Sequence, residues 1–269
     1  TPSNSSAASD VYKRQLGRAV YEYVVGPPDG IQVMNSTVLE EFKSSVDPGD
    51  RITTGIKRLD EMLDGGLIRG MVTMVMGESG SGKTLLLLTL AAENVLRGEK
   101  VVFISFEEPR QQIYTALRFL GYDPGRLGGL KVLSFNPRYV TLRHAYSNLI
   151  NILRDECEKP TVMVVDGLTA LAKEYGRDFH RLIKDMAYLS KKDGVTLLFS
   201  VIRGALGDSE ATFLSTAVDV ILDLRLVEQR NEIMRLIGIL KARCSLVDSM
   251  YRRLRLDKIS GRCRLAVGD

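Results

Sequence analysis

Within the eight residues Gly77-Glu78-Ser79-Gly80-Ser81-Gly82-Lys83-Thr84 the sequence carries three glycines, a lysine and a terminal hydroxyl. Glycines let the backbone curl so that successive N–H groups point inward, which makes a cradle for phosphate. A helix beginning near Lys83 would add the positive end of its dipole to that cradle. The Lys83 ammonium is then placed to reach β- and γ-phosphates, and the Thr84 hydroxyl to ligate Mg²⁺. The chemistry this spacing predicts is binding of ATP with Mg²⁺. The competing reading is a glycine-rich turn ahead of a core helix.

Further groups could act on a phosphate held there. Asp166 closes the apolar run Val162-Met163-Val164-Val165, the pattern of a strand-end aspartate that orients a Mg²⁺ shell; its alternative is a cap for the following loop. Glu107 and Glu108 follow Val102-Phe103-Ile104-Ser105-Phe106. Adjacent side chains on a strand point to opposite faces, so one of the two is expected to reach a γ-phosphate and polarise an attacking water or hydroxyl. Neighbouring carboxylates also raise each other's proton affinity. The plainer alternative is a solvated acidic loop. Lys241 and Arg243 close a strand and sit two apart, so both heads leave one face, and paired cations can neutralise charge on a transferring phosphoryl group. Solvated strand-end charges are the alternative.

These groups need a common edge on which to meet, and the flanking sequence predicts one. Met71–Met76 reads as a buried strand entering the glycine loop, and Leu85–Leu96 as the helix leaving it. Further strands are expected over Lys100–Phe106, Leu130–Phe135, Thr161–Val165 and Val195–Val201. Helices are expected over Gly55–Leu63, Pro109–Leu120, Leu142–Cys157 and Arg177–Lys191. Strands alternating with helices imply an α/β fold, a mostly parallel central sheet with helices on both faces. Beyond Asp219 the helices thin out. Val220–Leu226, Met234–Lys241, Tyr251–Asp257 and Arg262–Val267 read as consecutive strands that extend the sheet with antiparallel members at its C-terminal end. In such a sheet, ligands sit beyond the carboxyl ends of the parallel strands, the edge that the glycine loop, Glu107, Glu108 and Asp166 share.

The chain has 269 residues, 45% of them hydrophobic, enough for one sizeable core. Its 37 Lys+Arg against 33 Asp+Glu leave a net charge of +4, which permits a nucleic-acid partner without demanding one. Cys157, Cys244 and Cys263 are too far apart for a metal site and odd in number, so a reducing cytoplasm is expected. The apolar runs Leu85–Leu88 and Val195–Ile202 fall far short of a membrane span, and the polar N-terminal residues predict no secretory leader. Residues 1–15 stand apart: Thr1–Asp10 is a Ser/Ala/Asn string, and Asp10-Val11-Tyr12-Lys13-Arg14-Gln15 resembles the translated end of a sequencing adaptor. This leader is expected to be non-native or disordered. Residues 16–47 read as a hairpin and linker, with the turn Pro27-Pro28-Asp29-Gly30 between the runs Ala19–Val25 and Ile31-Gln32-Val33. The strands flanking Ser260-Gly261 have a similar shape, so 16–33 is expected to be the tail of a preceding copy of the domain that fills 48–269.

Taken in order, Thr54-Gly55-Ile56-Lys57-Arg58-Leu59-Asp60, Gly65-Gly66-Leu67, the glycine loop, Ser105-Phe106-Glu107-Glu108, Asp166 and Ile239-Leu240-Lys241-Ala242-Arg243-Cys244-Ser245 resemble the KaiC branch of the RecA-type P-loop ATPases. The resemblance implies a RecA-type fold and ATP bound between the subunits of a homo-oligomeric ring, usually a hexamer. It also implies the paired glutamates as the base site, and Lys241 with Arg243 reaching a neighbour's phosphates. Tandem copies are common in that family. One departure is Cys244, where the family usually has glycine; a side chain at a position that wants glycine strains or reshapes the backbone. Leu214-Ser215-Thr216-Ala217-Val218-Asp219 resembles the segment that carries the phosphoacceptor pair in the family's clock members. Ser215 and Thr216 are therefore candidate phosphoacceptors, with ordinary turn capping as the alternative.

The expected function is slow Mg²⁺-dependent ATP hydrolysis acting as a regulatory switch in a ring, with Ser/Thr autophosphorylation as an added activity. One rival is a nucleic-acid-dependent ATPase, a recombination mediator or motor, for which Arg252, Arg253, Arg255, Lys258, Arg262 and Arg264 would supply cations. An alternating charged hairpin is ordinarily a solvated face, so nucleic acid is not favoured. The other rival is a sensor that binds nucleotide without hydrolysing it. No membrane and no particular regulatory protein partner is indicated.

Overall fold

The computed structural model describes residues 20–26, 30–36, 46–136, 142–154, 159–229, 232–259 and 262–268, and divides into two compact units, residues 1–43 and 44–269. In the first unit β1 (Val20–Gly26) and β2 (Gly30–Ser36) form an antiparallel hairpin in which Tyr23 opposes Val33 and Gly26 opposes Gly30. The expected leader 1–15, the turn residues 27–29, most of the expected linker and Cys157 lie outside the described residues.

The second unit opens with a short ribbon, β3 (Arg51–Ile52) paired with β4 (Leu67–Ile68), around α1 (Lys57–Met62). Then come β5 (Val72–Gly77), α2 (Lys83–Leu96), β6 (Val101–Ser105), α3 (Arg110–Phe119), β7 (Leu130–Ser134) and α4 (Leu142–Arg154). They are followed by β8 (Val162–Asp166), α5 (Leu168–Asp193), β9 (Thr196–Ile202) and α6 (Asp208–Ala217). Four strands close the unit: β10 (Val220–Gln229), β11 (Glu232–Ala242), β12 (Arg252–Ile259) and β13 (Arg262–Val267). The nine-stranded sheet has the order β13-β12-β11-β10-β5-β9-β8-β6-β7. Neighbours from β10 across to β7 are parallel, and those from β10 out to β13 are antiparallel. This is the predicted α/β sheet with its antiparallel C-terminal extension, a RecA-like P-loop fold.

Alternation along the parallel strands feeds two apolar layers, as burial on both faces requires. Val75, Val101, Phe103, Val162 and Val164 pack on one side with Leu86, Leu87, Leu90 and Ala91 of α2. Val72, Met74, Val102, Ile104, Met163 and Val165 pack on the other with Phe179, Leu182, Ile183 and Met186 of α5. Helices thus cover both faces of the sheet.

Two differences from the sequence reading matter for the site. α5 begins directly after Asp166-Gly167, nine residues before the predicted Arg177. Gly176 reads as a break, yet a helix-interior glycine costs only about 1 kcal/mol, and buried Leu168, Leu171, Phe179, Leu182 and Ile183 continue one apolar stripe across it. α6 has no counterpart in the sequence reading, because Leu214 is its only fully buried side chain and its periodicity is weak. That helix is the crossover that returns β10 parallel to β5, so the antiparallel extension starts one strand later than predicted, at β11. Among the described residues no helix is long and apolar enough to cross a membrane.

Candidate active site

The glycine loop joins β5 to α2 at the carboxyl edge of the parallel strands. Gly80 and Gly82 have φ of +78° and +102°, conformations that side chains rarely adopt. Gly77 is needed for a different reason: a Cβ there would lie 2.5 Å from the Leu224 carbonyl oxygen. α2 starts without a side-chain cap on its first turn, which leaves backbone amides free for an anion. Buried Lys83 curls across the loop, its Nζ donating to the carbonyls of Gly77 at 3.1 Å and Glu78 at 2.9 Å. Burial pulls the Lys83 pKa down, opposed first by the charge of Glu107 and then by Asp166.

Asp166 ends β8 with 1% of its surface exposed. Its carboxylate accepts from Thr84 Oγ1 at 2.8 Å and from Ser200 Oγ at 2.5 Å, and Ser200 Oγ in turn accepts from the Gly167 N–H at 2.8 Å. Burial raises the Asp166 pKa against these hydrogen bonds and the Lys83 charge. A buried carboxylate beside a threonine hydroxyl is a hard oxygen set, and it fits Mg²⁺.

Glu107 and Glu108 follow β6, their backbone amides turned onto Ser105 Oγ at 3.3 and 2.8 Å. Partial desolvation raises the pKa of Glu107 most, followed by the charge of Asp166, with Lys83 opposing and Glu108 adding least. Burial and then Asp166 also raise the pKa of Glu108. The predicted mutual effect of the two glutamates is thus secondary: Asp166 is the carboxylate that both of them feel more. Glu107 is the one coupled to Lys83, and it lies so close to Gly167 (φ +85°) that a Cβ there would meet Glu107 Cγ at 2.6 Å.

Lys241 and Arg243 lie at the opposite edge of the sheet. Ala242 is level with Val220 and Thr73, and the Arg243 N–H bonds the Asp219 carbonyl at 3.0 Å. That places Arg243 ~16 Å along the strand direction from Gly77, at about 3.3 Å per residue. Lys241 Nζ caps the end of α6, donating to the carbonyls of Ser215 at 2.7 Å and Val218 at 2.6 Å. Arg243 Nη1 reaches Asp219 Oδ1 at 3.1 Å, and Lys191 Nζ shares that oxygen at 2.8 Å. Burial and then the Arg243 charge lower the Lys241 pKa. Ser215 and Thr216 occupy the last turn of α6 beside these cations, their hydroxyls donating to the carbonyls of Thr212 and Phe213, each at 2.8 Å. They are helix residues, not the turn caps that the alternative to a phosphoacceptor role supposes. Neither they nor the cationic pair meets the chain's own glycine loop.

Cys244 follows with φ +56°, so the predicted conflict at this position is real. An L-residue in that region costs about 1–2 kcal/mol, of which glycine's extra chain entropy would return about 0.5–1. Cys244→Gly is therefore expected to stabilise the fold by about 0.5–1 kcal/mol. A denaturation midpoint that stays put or falls in the variant would refute the strain.

Sequence reasoning missed three residues. Ser200, hidden in the apolar run of β9, orients Asp166. Arg203, just past β9, contacts Glu78 and Asp223. Asp223 is a fully buried acid in the middle of a hydrophobic strand, an anomaly that was visible in Val220–Leu226. In the basic hairpin, Arg252 pairs with Asp248 at 2.8 Å, Arg253 with Glu232 at 3.9 Å and Arg255 with Asp257 at 4.0 Å. Lys258 and Arg264 are exposed, and the side chain of Arg262 lies outside the described residues.

The family model "ATPase: KaiC" matches residues 52–258. The circadian clock protein KaiC3 of Synechocystis sp. is 31% identical over 235 residues, covering 85% of this chain and 46% of its own length. The circadian clock oscillator proteins KaiC of Rippkaea orientalis and Picosynechococcus sp. are each 30% identical, over 77% and 75% of this chain and 41% and 40% of their own lengths. The chain spans less than half the length of these relatives.

Proposed function

Because the chain belongs to the KaiC family of ATPases, we propose that its second unit binds ATP with Mg²⁺ on the Gly77–Thr84 loop and hydrolyses it slowly, as a regulatory switch within a homo-oligomeric ring. The observation that carries this reading is the split of the machinery between two edges of one sheet. Lys83, Thr84, Glu107 and Asp166 converge at the carboxyl edge, while Lys241 and Arg243 stand at the other. A head-to-tail contact brings unlike edges together and closes into a ring when its rotation allows, a hexamer being the arrangement the family suggests. Each site would then be completed by its neighbour.

Thr84 and Asp166 would hold Mg²⁺, which when bound supplies charge neutralisation and orientation to the triphosphate. Lys83 releases the Gly77 and Glu78 carbonyls and moves onto the β- and γ-phosphates. Glu107 takes the proton of the attacking water, a task that suits a carboxylate with a raised pKa. Lys241 and Arg243 of the neighbour leave the end of α6 to meet charge on the γ-phosphoryl group. Their helix-capping contacts are the competing stable state, and that competition is one physical reason for turnover to be slow.

A second reading is favoured by the place of Ser215 and Thr216 beside that pair. Whatever phosphates Lys241 and Arg243 meet, these hydroxyls approach as well, so any autophosphorylation would run between subunits. We also propose that the β1–β2 hairpin is the tail of a preceding copy of the domain, since it has the shape of the β12–β13 hairpin that closes the second unit.

The test mixes Lys83→Ala and Arg243→Ala chains, each inactive alone, with labelled ATP and Mg²⁺ while the native mass is followed. Recovery of phosphate release on mixing is expected, because some interfaces pair an intact loop with an intact cationic pair. Co-assembly without recovery would sink the shared site. Wild-type protein that binds ATP and assembles without ever releasing phosphate would be a nucleotide sensor. Label on Ser215 or Thr216 would establish the phosphoacceptors, and phosphate release from unlabelled protein would leave a plain ATPase. Stimulation by single-stranded DNA would favour a nucleic-acid motor, against which the ion pairing of the basic hairpin argues.

A further inference from the structure

Glu78 is the one acid in the eight-residue glycine loop, and its charge is felt by Lys83. Its Oε2 is buried without a hydrogen-bond partner, and its Oε1 faces Arg203 Nε at 3.4 Å. Arg203 is well anchored for that contact. Its backbone N–H donates to the Gly77 carbonyl at 3.1 Å, and its guanidinium also pairs with Asp223. Asp223 is 0% exposed and is held in turn by Arg225 Nε at 2.9 Å and by the Tyr251 hydroxyl at 2.5 Å. The Arg225 guanidinium lies over the Tyr251 ring at 4.4 Å, which fixes the far side of the cluster.

A bare carboxylate in this place would repel a triphosphate. At an effective dielectric of about 20, like unit charges about 10 Å apart lower affinity roughly tenfold, and the penalty grows with ligand charge. Resting on the nucleotide-site reading above, we propose that Arg203 is a positioning residue that neutralises Glu78, so that the loop accepts the triphosphate, with Asp223 as the buried anchor that keeps Arg203 in place. Arg203 needs no contact with the nucleotide for this. Its role is to cancel a charge and to hold the second residue of the loop.

The experiment titrates the full chain with Mg-ATP and Mg-ADP by calorimetry in four forms: wild type, Arg203→Gln, Glu78→Gln and the double variant. Arg203→Gln is expected to weaken ATP about tenfold and ADP about threefold. Adding Glu78→Gln should return ATP affinity to within about twofold of Glu78→Gln alone, because the repelling charge is then gone. ATP affinity in Arg203→Gln equal to wild type, or a loss that Glu78→Gln does not relieve, would overturn the inference and leave Arg203 as a structural bridge. Arg203→Gln removes cationic cover from buried Asp223, so Arg203→Lys is measured alongside. A folded Arg203→Lys chain that keeps ATP affinity within about threefold supports neutralisation, and a tenfold loss there overturns it. Wild-type protein that fails to bind ATP overturns the nucleotide site itself. Wild-type binding without suppression by Glu78→Gln overturns the role of Arg203 alone.

Discussion

Lys83→Ala is expected to remove measurable ATP binding. Lys83 stands at the glycine loop, where its ammonium bridges the carbonyls of Gly77 and Glu78. Burial lowers its pKa, and the charges of Glu107, Asp166 and Glu78 oppose that shift. Charge-assisted hydrogen bonds to two phosphates contribute about 1.5–3 kcal/mol each, which amounts to a loss of roughly a hundredfold to ten-thousandfold in affinity. The remaining acids add repulsion once the cation is gone. Calorimetry on a variant that keeps its wild-type circular dichroism decides the matter. ATP affinity within about threefold of wild type would reject the loop as the phosphate site.

Glu107→Gln should separate binding from turnover. The substitution keeps shape and hydrogen bonding and removes the basic oxygen, so ATP affinity is expected to persist while hydrolysis slows by about a hundredfold or more, the usual scale for a general base. The two glutamates are adjacent in sequence, but they are not equivalent in space. Glu107 interacts with both Lys83 and Asp166 and packs on Gly167, whereas Glu108 is coupled to Asp166 without Lys83. The larger defect is therefore expected at Glu107. Single-turnover rates with both variants read this directly: wild-type hydrolysis in Glu107→Gln, with the loss appearing instead in Glu108→Gln, would exchange their roles. Because Gly167 has φ +85° and touches Glu107, a β-carbon there would push the Glu107 side chain aside.

Local structure was legible from the chain itself. The glycine loop between an apolar strand and a helix, the run of four hydrophobic residues ending on Asp166, and the strand closing before Glu107 all rest on spacing over fewer than about twenty residues. Backbone sterics and periodicity act over that range. The misfit at Cys244 came from the resemblance, which puts glycine there, and the backbone bears it out with φ +56°. What depends on residues far apart in sequence had to await the tertiary structure. Ser200 reaches Asp166 across a separation of 34 residues, and Lys241 reaches the end of α6 across more than twenty. α6 itself was hidden because one fully buried leucine leaves too faint a stripe to read. Most of all, the placement of Lys241, Arg243, Ser215 and Thr216 on the edge opposite the glycine loop follows from strand direction. β10 runs parallel to β5 because a helix carries the chain back before it. No local pattern encodes which end of a sheet a residue will occupy; the crossover does, because it sets the direction in which the next strand runs.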